Sequence, residues 1–373
     1  MLWIPGPTEV RPEILAQLAR PAIGHRSAQM VELIERLDPH LALAFGLSTD
    51  STAELGVHSV SASGMMEASL RGVGQKILAV KNGAFAGRFA TMAESLGKQV
   101  EHLEVEWGRG VDPAVLDETL TQKGPFDAVT LVSNETSTGT LTPLAPIAEV
   151  LARFPETMFL VDLVSLIAGA PVDFDANGID FGFAGVQKAL ALPPGIAVFC
   201  ASRRYEQAAQ KVPCRGWHLD PLKLLAGHKQ RKTPATPCTP LYYALAQQLE
   251  DISSGLDLAP GQGSSSPAKA WAARFDKHES MRSQTEAWAT GHGLSLFPAT
   301  GFRSPTVSCI NAGEIDVGAL QADLSRRGYL ISNGYGDLKG RTFRIGHMGD
   351  HTPAGLAELL SAADDAISSP ARS

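Results

Sequence analysis

Cysteine, clustered basic charge and long apolar runs are all scarce in this chain, and each scarcity removes a class of function. The 373 residues include four cysteines. Cys200, Cys214, Cys238 and Cys309 show neither the paired spacing of a zinc site nor the density of a secreted disulfide scaffold, so no metal site is expected and a reducing compartment fits best. The net charge of −7 is spread along the chain with no basic cluster to answer a phosphate backbone, which argues against nucleic acid as a partner. The most apolar region, around residues 159–171, is interrupted by Asp162 and is too short to cross a bilayer. The opening Met-Leu-Trp-Ile-Pro-Gly-Pro has no basic leader before an apolar stretch. A soluble cytoplasmic protein with no membrane partner is the expectation, and no internal repeat is visible.

What is present is an alternation. With 44% hydrophobic residues the chain can bury a large core. From Leu55 to about Ser202, β-like runs (Gly-Val-His-Ser-Val, Ile-Leu-Ala-Val, Val-Glu-His-Leu-Glu-Val, Ala-Val-Thr-Leu-Val, Met-Phe-Leu-Val and Gly-Ile-Ala-Val-Phe-Cys) alternate with helical stretches. Such alternation implies βαβ crossovers and an α/β fold with a mostly parallel sheet covered on both faces. Between Asp251 and Pro267 the sequence becomes turn-rich and poor in apolar residues, as a loop or linker would be. A boundary is expected there, with a small α+β unit beyond it: a helix over 269–291, a strand over 306–310, a helix over 317–328 and a last strand over 342–345. The expected division is an arm over 1–15, a large domain over 16–255 and a small C-terminal domain over 256–373.

The chemistry-bearing residues follow the strands, where open α/β sheets place ligands. Lys188 closes the run Asp180-Phe-Gly-Phe-Ala-Gly-Val-Gln-Lys188, and Asp162 ends Met-Phe-Leu-Val. A lysine amine that can hold an aldehyde, and a carboxylate that can keep a pyridine nitrogen protonated, are what pyridoxal phosphate requires. Ser61-Ala62-Ser63-Gly64 opens a helix expected to run to Gly72, and its free N–H groups suit a phosphate as well as a plain helix cap. Asn82-Gly-Ala-Phe85-Ala-Gly-Arg88 offers an aromatic that suits either a heteroaromatic ring or the core. Ser133-Asn134-Glu135-Thr136 offers hydroxyls, with Thr136 the choice for a phenolic oxygen and an ordinary turn the alternative. Thr233 and Thr236 sit on a proline-stiffened segment that suits a helix entry or an anion site. Arg344, inside an apolar strand, needs an anion, and a substrate carboxylate held bidentately is an apt one.

Taken in order, Pro5-Gly-Pro-Thr8, Gly24-His-Arg-Ser27, Asn134-Glu-Thr136, Gln187-Lys188-Ala-Leu, Thr233-Pro-Ala-Thr236-Pro and Arg344-Ile-Gly-His-Met-Gly349 resemble the class V aminotransferases of pyridoxal phosphate fold type I. The branch is that of alanine:glyoxylate, serine:glyoxylate and the broad aspartate/phosphoserine enzymes. The resemblance implies a large domain with a mostly parallel seven-stranded sheet, a small C-terminal α+β domain, and a homodimer with shared active sites. Lys188 would carry the cofactor and move the proton, Asp162 would partner the pyridine nitrogen, and Val164 and Phe85 would cover the two ring faces. Thr136 and Gln187 would bond the phenolic oxygen and ring surroundings, and Ala62 and Ser63 would form the phosphate turn. Thr233 and Thr236 would reach the phosphate of the neighbouring subunit, and Arg344 would anchor the substrate carboxylate near Thr8. His25 and Arg26 resemble a pair that grips acidic side chains across the interface. The turn reads Ala62-Ser63 where the family usually has Gly then Thr, and Phe85 stands where Trp or Tyr is frequent.

The implied reaction moves an amino group from a small or acidic L-amino acid (alanine, serine, phosphoserine, aspartate or glutamate) to a 2-oxo acid (glyoxylate, pyruvate, 2-oxoglutarate or phosphohydroxypyruvate). A phosphoserine-specific enzyme is the alternative. A cysteine desulfurase-like lyase needs a loop thiolate and usually a histidine before the lysine; Gln187 stands there instead, and no cysteine is expected on a flexible loop. Intact Asp162, Lys188 and Arg344 argue against a non-catalytic cofactor-binding subunit.

Overall fold

The computed structural model describes residues 1–256, 258 and 266–368. An arm leads to two helices, α1 (Pro12–Gln17) and α2 (Ala28–Phe45), which precede the first strand. From there the chain runs β1 (Glu54–His58), α3 (Ala62–Arg71), β2 (Lys76–Lys81), α4 (Ala84–Ser95), β3 (Gln99–Glu104), α5 (Pro113–Lys123) and β4 (Ala128–Val132). A small hairpin of β5 (Asn134–Glu135) and β6 (Thr140–Leu141) follows, then α6 (Leu144–Leu151), β7 (Met158–Asp162), β8 (Phe181–Gly185) and β9 (Ala197–Ala201). Strands β4, β7, β8 and β9 are buried along their whole length, which is why they read as continuous apolar runs instead of alternating ones.

The seven-stranded sheet has the order β1-β9-β8-β7-β4-β2-β3. Neighbours from β3 to β8 pair in parallel. Strand β9 runs against both β8 and β1, so β1 points the same way as the parallel set. The C-terminal ends of β1, β4, β7 and β8 therefore lie along one edge, where their polar loops gather. The expected strand over 56–60 is shifted: β1 starts at Glu54 and stops at His58 because Ser61 must cap α3, its side chain accepting from Gly64 N at 3.2 Å.

After β9 come α7 (Arg203–Gln210), α8 (Pro221–Lys229), α9 (Thr239–Ser254) and α10 (Pro267–Gly291). The expected long loop over 251–267 begins inside α9; its residues 257 and 259–265 lie outside the described residues. A second sheet of three strands, β10 (Val307–Asn311), β11 (Ser332–Asn333) and β12 (Thr342–Gly346), is antiparallel in the order β10-β12-β11. With α11 (Val317–Arg326) and α12 (Pro353–Ser368) it encloses its own apolar core, which includes Trp3 of the arm. Helix α10 joins the two cores, burying Trp271 in the larger and Met281 and Ala289 in the smaller. Among the described residues no helix is long and apolar enough to cross a membrane.

Candidate active site

Lys188 lies three residues beyond β8, on a turn closed by Ala191 N donating to Lys188 O at 2.8 Å and Leu192 N to Val186 O at 3.1 Å. The arm crosses directly over it. Lys188 Nζ donates to the carbonyl of Pro5, and a Cβ placed on Gly6 would come within 2.4 Å of Lys188 Cδ. Gly6 also has φ +97°, so both its conformation and its contact require glycine. Burial, reinforced by the Arg344 guanidinium, lowers the Lys188 ammonium from 10.5 to about 8. That puts a free amine within reach near neutral pH.

Asp162 ends β7, the strand beside β8. Its Oδ1 accepts from Val164 N at 2.8 Å. Burial overrides that bond and raises the carboxyl to about 7, with the Glu135 charge adding to the shift. A carboxyl held this way gains from any cation placed against it. Beside it, Asn134 Nδ2 donates to Ser165 O at 2.8 Å and to Thr306 Oγ1 at 2.8 Å, while Asn134 Oδ1 is buried with no partner among the described residues. An acceptor so placed wants a donor from whatever fills the pocket.

The third wall is the start of α4, held by a residue the sequence reading quoted without a role. Glu135 is fully buried; its Oε2 accepts from Phe85 N at 2.9 Å and Ala86 N at 3.0 Å, and its Oε1 from Ser137 N at 2.9 Å. A carboxylate bonding first-turn N–H groups fixes a helix start and complements its dipole. The approach is close: a Cβ on Gly83 would lie 2.3 Å from Glu135 Cγ. Phe85 is thereby fixed at the pocket, with the Arg88 guanidinium 4.8 Å from its ring centroid and Tyr335 5.8 Å away.

One pocket collects Ala62, Ser63, Phe85, Thr136, Asp162, Val164, Gln187 and Lys188, all expected from the sequence. It also collects Ser61, Arg88, Asn134 and Ser165, which the reading did not select. Arg88 lies three positions after Phe85 on α4 and hence on the same helix face. Thr8 lies beneath the pocket, its N–H donating to Gln187 O at 3.1 Å and its hydroxyl to Met348 O at 3.2 Å. Arg344 is buried behind Thr136, donating from Nε to Asn333 O and from Nη1 to Thr136 O, each at 3.0 Å. The expectation that it needs an anion is corrected in part: carbonyl oxygens satisfy two donors, and no carboxylate pairs with it among the described residues. His25, half-buried, and Arg26, exposed, lie before α2, and half-buried Thr233 and exposed Thr236 before α9; none of the four lines this chain's own pocket. Cys214 is exposed on irregular chain between α7 and α8, broken there by Pro213 and Gly216, so the expectation of no loop cysteine is also corrected. Neither Cys214 nor the exposed Cys238 lines the pocket.

The family model for class-V aminotransferases matches residues 49–272. An uncharacterized aminotransferase of Methanocaldococcus jannaschii is 33% identical over 353 residues, covering 94% of this chain and 88% of the relative. The serine–glyoxylate aminotransferase of Methylorubrum extorquens is 28% identical over 382 residues, covering 97% and 90%. Among solved structures, an aspartate aminotransferase of subgroup IV from Thermus thermophilus superposes with a TM-score of 0.86 at 25% identity, covering 98% of each chain.

Proposed function

Because this chain belongs to the class V aminotransferases, we propose that it moves an amino group from a small or acidic L-amino acid to a 2-oxo acid, glyoxylate first among them, using pyridoxal phosphate held by Lys188. The observation that carries the reading is the pairing of Asp162 and Lys188. They sit at the ends of neighbouring strands in one pocket, the acid raised to about 7 and the amine lowered to about 8. Opposed shifts of this kind mark groups arranged for chemistry more than for stability.

The residues present fit that cofactor. Asp162 offers a buried carboxyl to a ring nitrogen, and unpartnered Asn134 Oδ1 and the Thr136 hydroxyl offer polar atoms to a ring substituent. Phe85 and Val164 supply apolar surface, while Ser63 and the start of α3 supply donors to an anion. When bound, pyridoxal phosphate supplies an aldehyde that takes an amine covalently and a ring that withdraws electrons from the bonds at Cα. Lys188 Nζ, once free, takes the proton from the substrate Cα, a step its lowered basicity suits. Arg344 orients the substrate through its carboxylate with the Nη2 edge that the two carbonyl bonds leave available. The serine–glyoxylate name of the Methylorubrum relative supports glyoxylate as acceptor.

We further propose a homodimer in which Thr233 and Thr236 serve the partner's pocket; both stand before α9, outside this chain's own pocket, and Thr236 is exposed. The function is tested by borohydride reduction, peptide mapping and a donor–acceptor panel. Labelling of Lys188, lost in Lys188→Ala together with transamination, is expected. Labelling of Lys211 or Lys223, or turnover surviving in Lys188→Ala, would refute it.

A further inference from the structure

The pocket has one cation to spare. Arg88 and Lys188 are the cationic side chains lining it, and Lys188 is committed to the cofactor's aldehyde on the reading above. Arg88 forms no ion pair among the described residues, and its one hydrogen bond is long, from Nη1 to Ser63 Oγ at 3.4 Å. Of the two buried carboxyl groups by the pocket, Glu135 is spent on three backbone N–H groups, and Asp162 feels the Arg88 charge but forms no ion pair with it among the described residues. The contact with the Phe85 ring, 4.8 Å from guanidinium carbon to centroid, leaves most of the five donors of this exposed side chain unclaimed by protein groups among the described residues.

Those donors lie beside the start of α3. Ser63 belongs to the first turn of α3, a ten-residue helix whose Gly64 N–H is taken by Ser61, while Ala62 and Ser63 N–H have no intrahelical acceptor. Gln187 packs against the same turn: a Cβ on Gly185 would meet Gln187 Oε1 at 2.5 Å and Ala62 Cβ at 2.9 Å. A side-chain amide, a serine hydroxyl, helix N–H groups and a guanidinium are thus gathered where the start of α3 meets the pocket. Neutral donors and a half-charge from a helix do not balance a dianion, and a guanidinium supplies the missing charge with matching geometry.

We infer that Arg88 is a ligand of the cofactor's phosphate group, joining Ser63, Gln187 and the start of α3. This rests on the pyridoxal phosphate reading. The test uses full-length, cofactor-stripped wild type, Arg88→Gln and Arg88→Lys, titrated with pyridoxal phosphate and with pyridoxal, with inorganic phosphate as competitor, and followed by absorbance and protein fluorescence. Arg88→Gln should weaken pyridoxal phosphate about ten- to a hundredfold, the scale of one charge-assisted hydrogen bond, leave pyridoxal within about twofold, and lose competition by inorganic phosphate. Arg88→Lys should recover part of the loss. Equal weakening of both ligands would mean that Arg88 acts only by supporting Phe85, and would overturn the inference. Unchanged pyridoxal phosphate affinity would overturn it too; if the KM for aspartate or phosphoserine then rose while that for alanine did not, the anion would be the substrate's tail. Wild type that binds no pyridoxal phosphate at all would instead sink the functional reading, and the inference with it.

Discussion

Replacing Glu135 by alanine removes the acceptor for three backbone N–H groups at once, two of them on buried residues, Ala86 and Ser137. Each buried N–H left unpaired costs about 1–3 kcal/mol. Two effects reduce the sum: the charge of Glu135 no longer has to be held out of water, and the space left by the side chain admits a water that can satisfy one donor. The net expectation is a loss of about 2–4 kcal/mol. Glu135→Gln distinguishes the terms, because its amide nitrogen must face a backbone N–H on one side while its oxygen still serves the other; about 1–2 kcal/mol is expected. Urea unfolding of the cofactor-free protein, followed by circular dichroism and with slopes compared between variants, measures both losses. The consequence extends to the site, since Phe85 and Arg88 ride on the turn that Glu135 pins, and ring binding should weaken in the same order as stability. An alanine variant as stable as wild type, or a glutamine variant worse than alanine, would show that the α4 start is held by something else.

Three further outcomes are expected. Asp162 has a folded value of about 7 against an ordinary 3.8, so between those values the folded chain binds the extra proton, stability falls as pH rises, and the penalty is complete above pH 7; Asp162→Asn should therefore stabilise the cofactor-free protein by about 2–4 kcal/mol at pH 8 and hardly at pH 4, while abolishing transamination. The opposite pH trend would show that the carboxylate is paired. Arg344→Ala should raise the donor KM at least about tenfold with pyridoxal phosphate still bound, and Arg344→Lys should rescue it partly; normal donor binding in both variants, checked by steady-state kinetics, would redirect attention to Arg341 or Arg26. Mixing Lys188→Ala protomers with a Thr233/Thr236 double-alanine variant should restore activity through heterodimers with one intact site, whereas a fully active monomer by sedimentation would rule out shared sites.

Much of the site was legible because its chemistry follows directly from strand ends. Lys188 and Asp162 announce themselves by residue type after apolar runs, Phe85 as an aromatic in a run that follows a strand, and Ser63 by its place at a helix start. Less legible were residues whose roles arise from direction and contact. The antiparallel course of β9 leaves no mark in its sequence, since a fully buried strand reads as an apolar run either way. Glu135 looked like part of a hydroxyl-rich turn; only the fold lays it beneath the first turn of α4. Asn134 became informative once Ser165 and Thr306, distant in sequence, had claimed its amide and left Oδ1 alone. Arg88 needed both the start of α4 and the position of Phe85 before it could be placed.

The turn that carries Lys188 is tied down carbonyl by carbonyl. Val186 O is held by Leu192 N, Gln187 O by Thr8 N, Lys188 O by Ala191 N and Ala189 O by the fully buried Arg274 of α10. Four consecutive acceptors are thus claimed by the turn itself, by the N-terminal arm and by the helix that joins the two cores. For local unfolding this makes the turn a shared node: it cannot open without releasing elements far apart in the chain, so its opening free energy approaches that of the whole molecule. Whatever exchange of partners the lysine undergoes during turnover must then be carried by its four-carbon stem, swinging from a base that stays still.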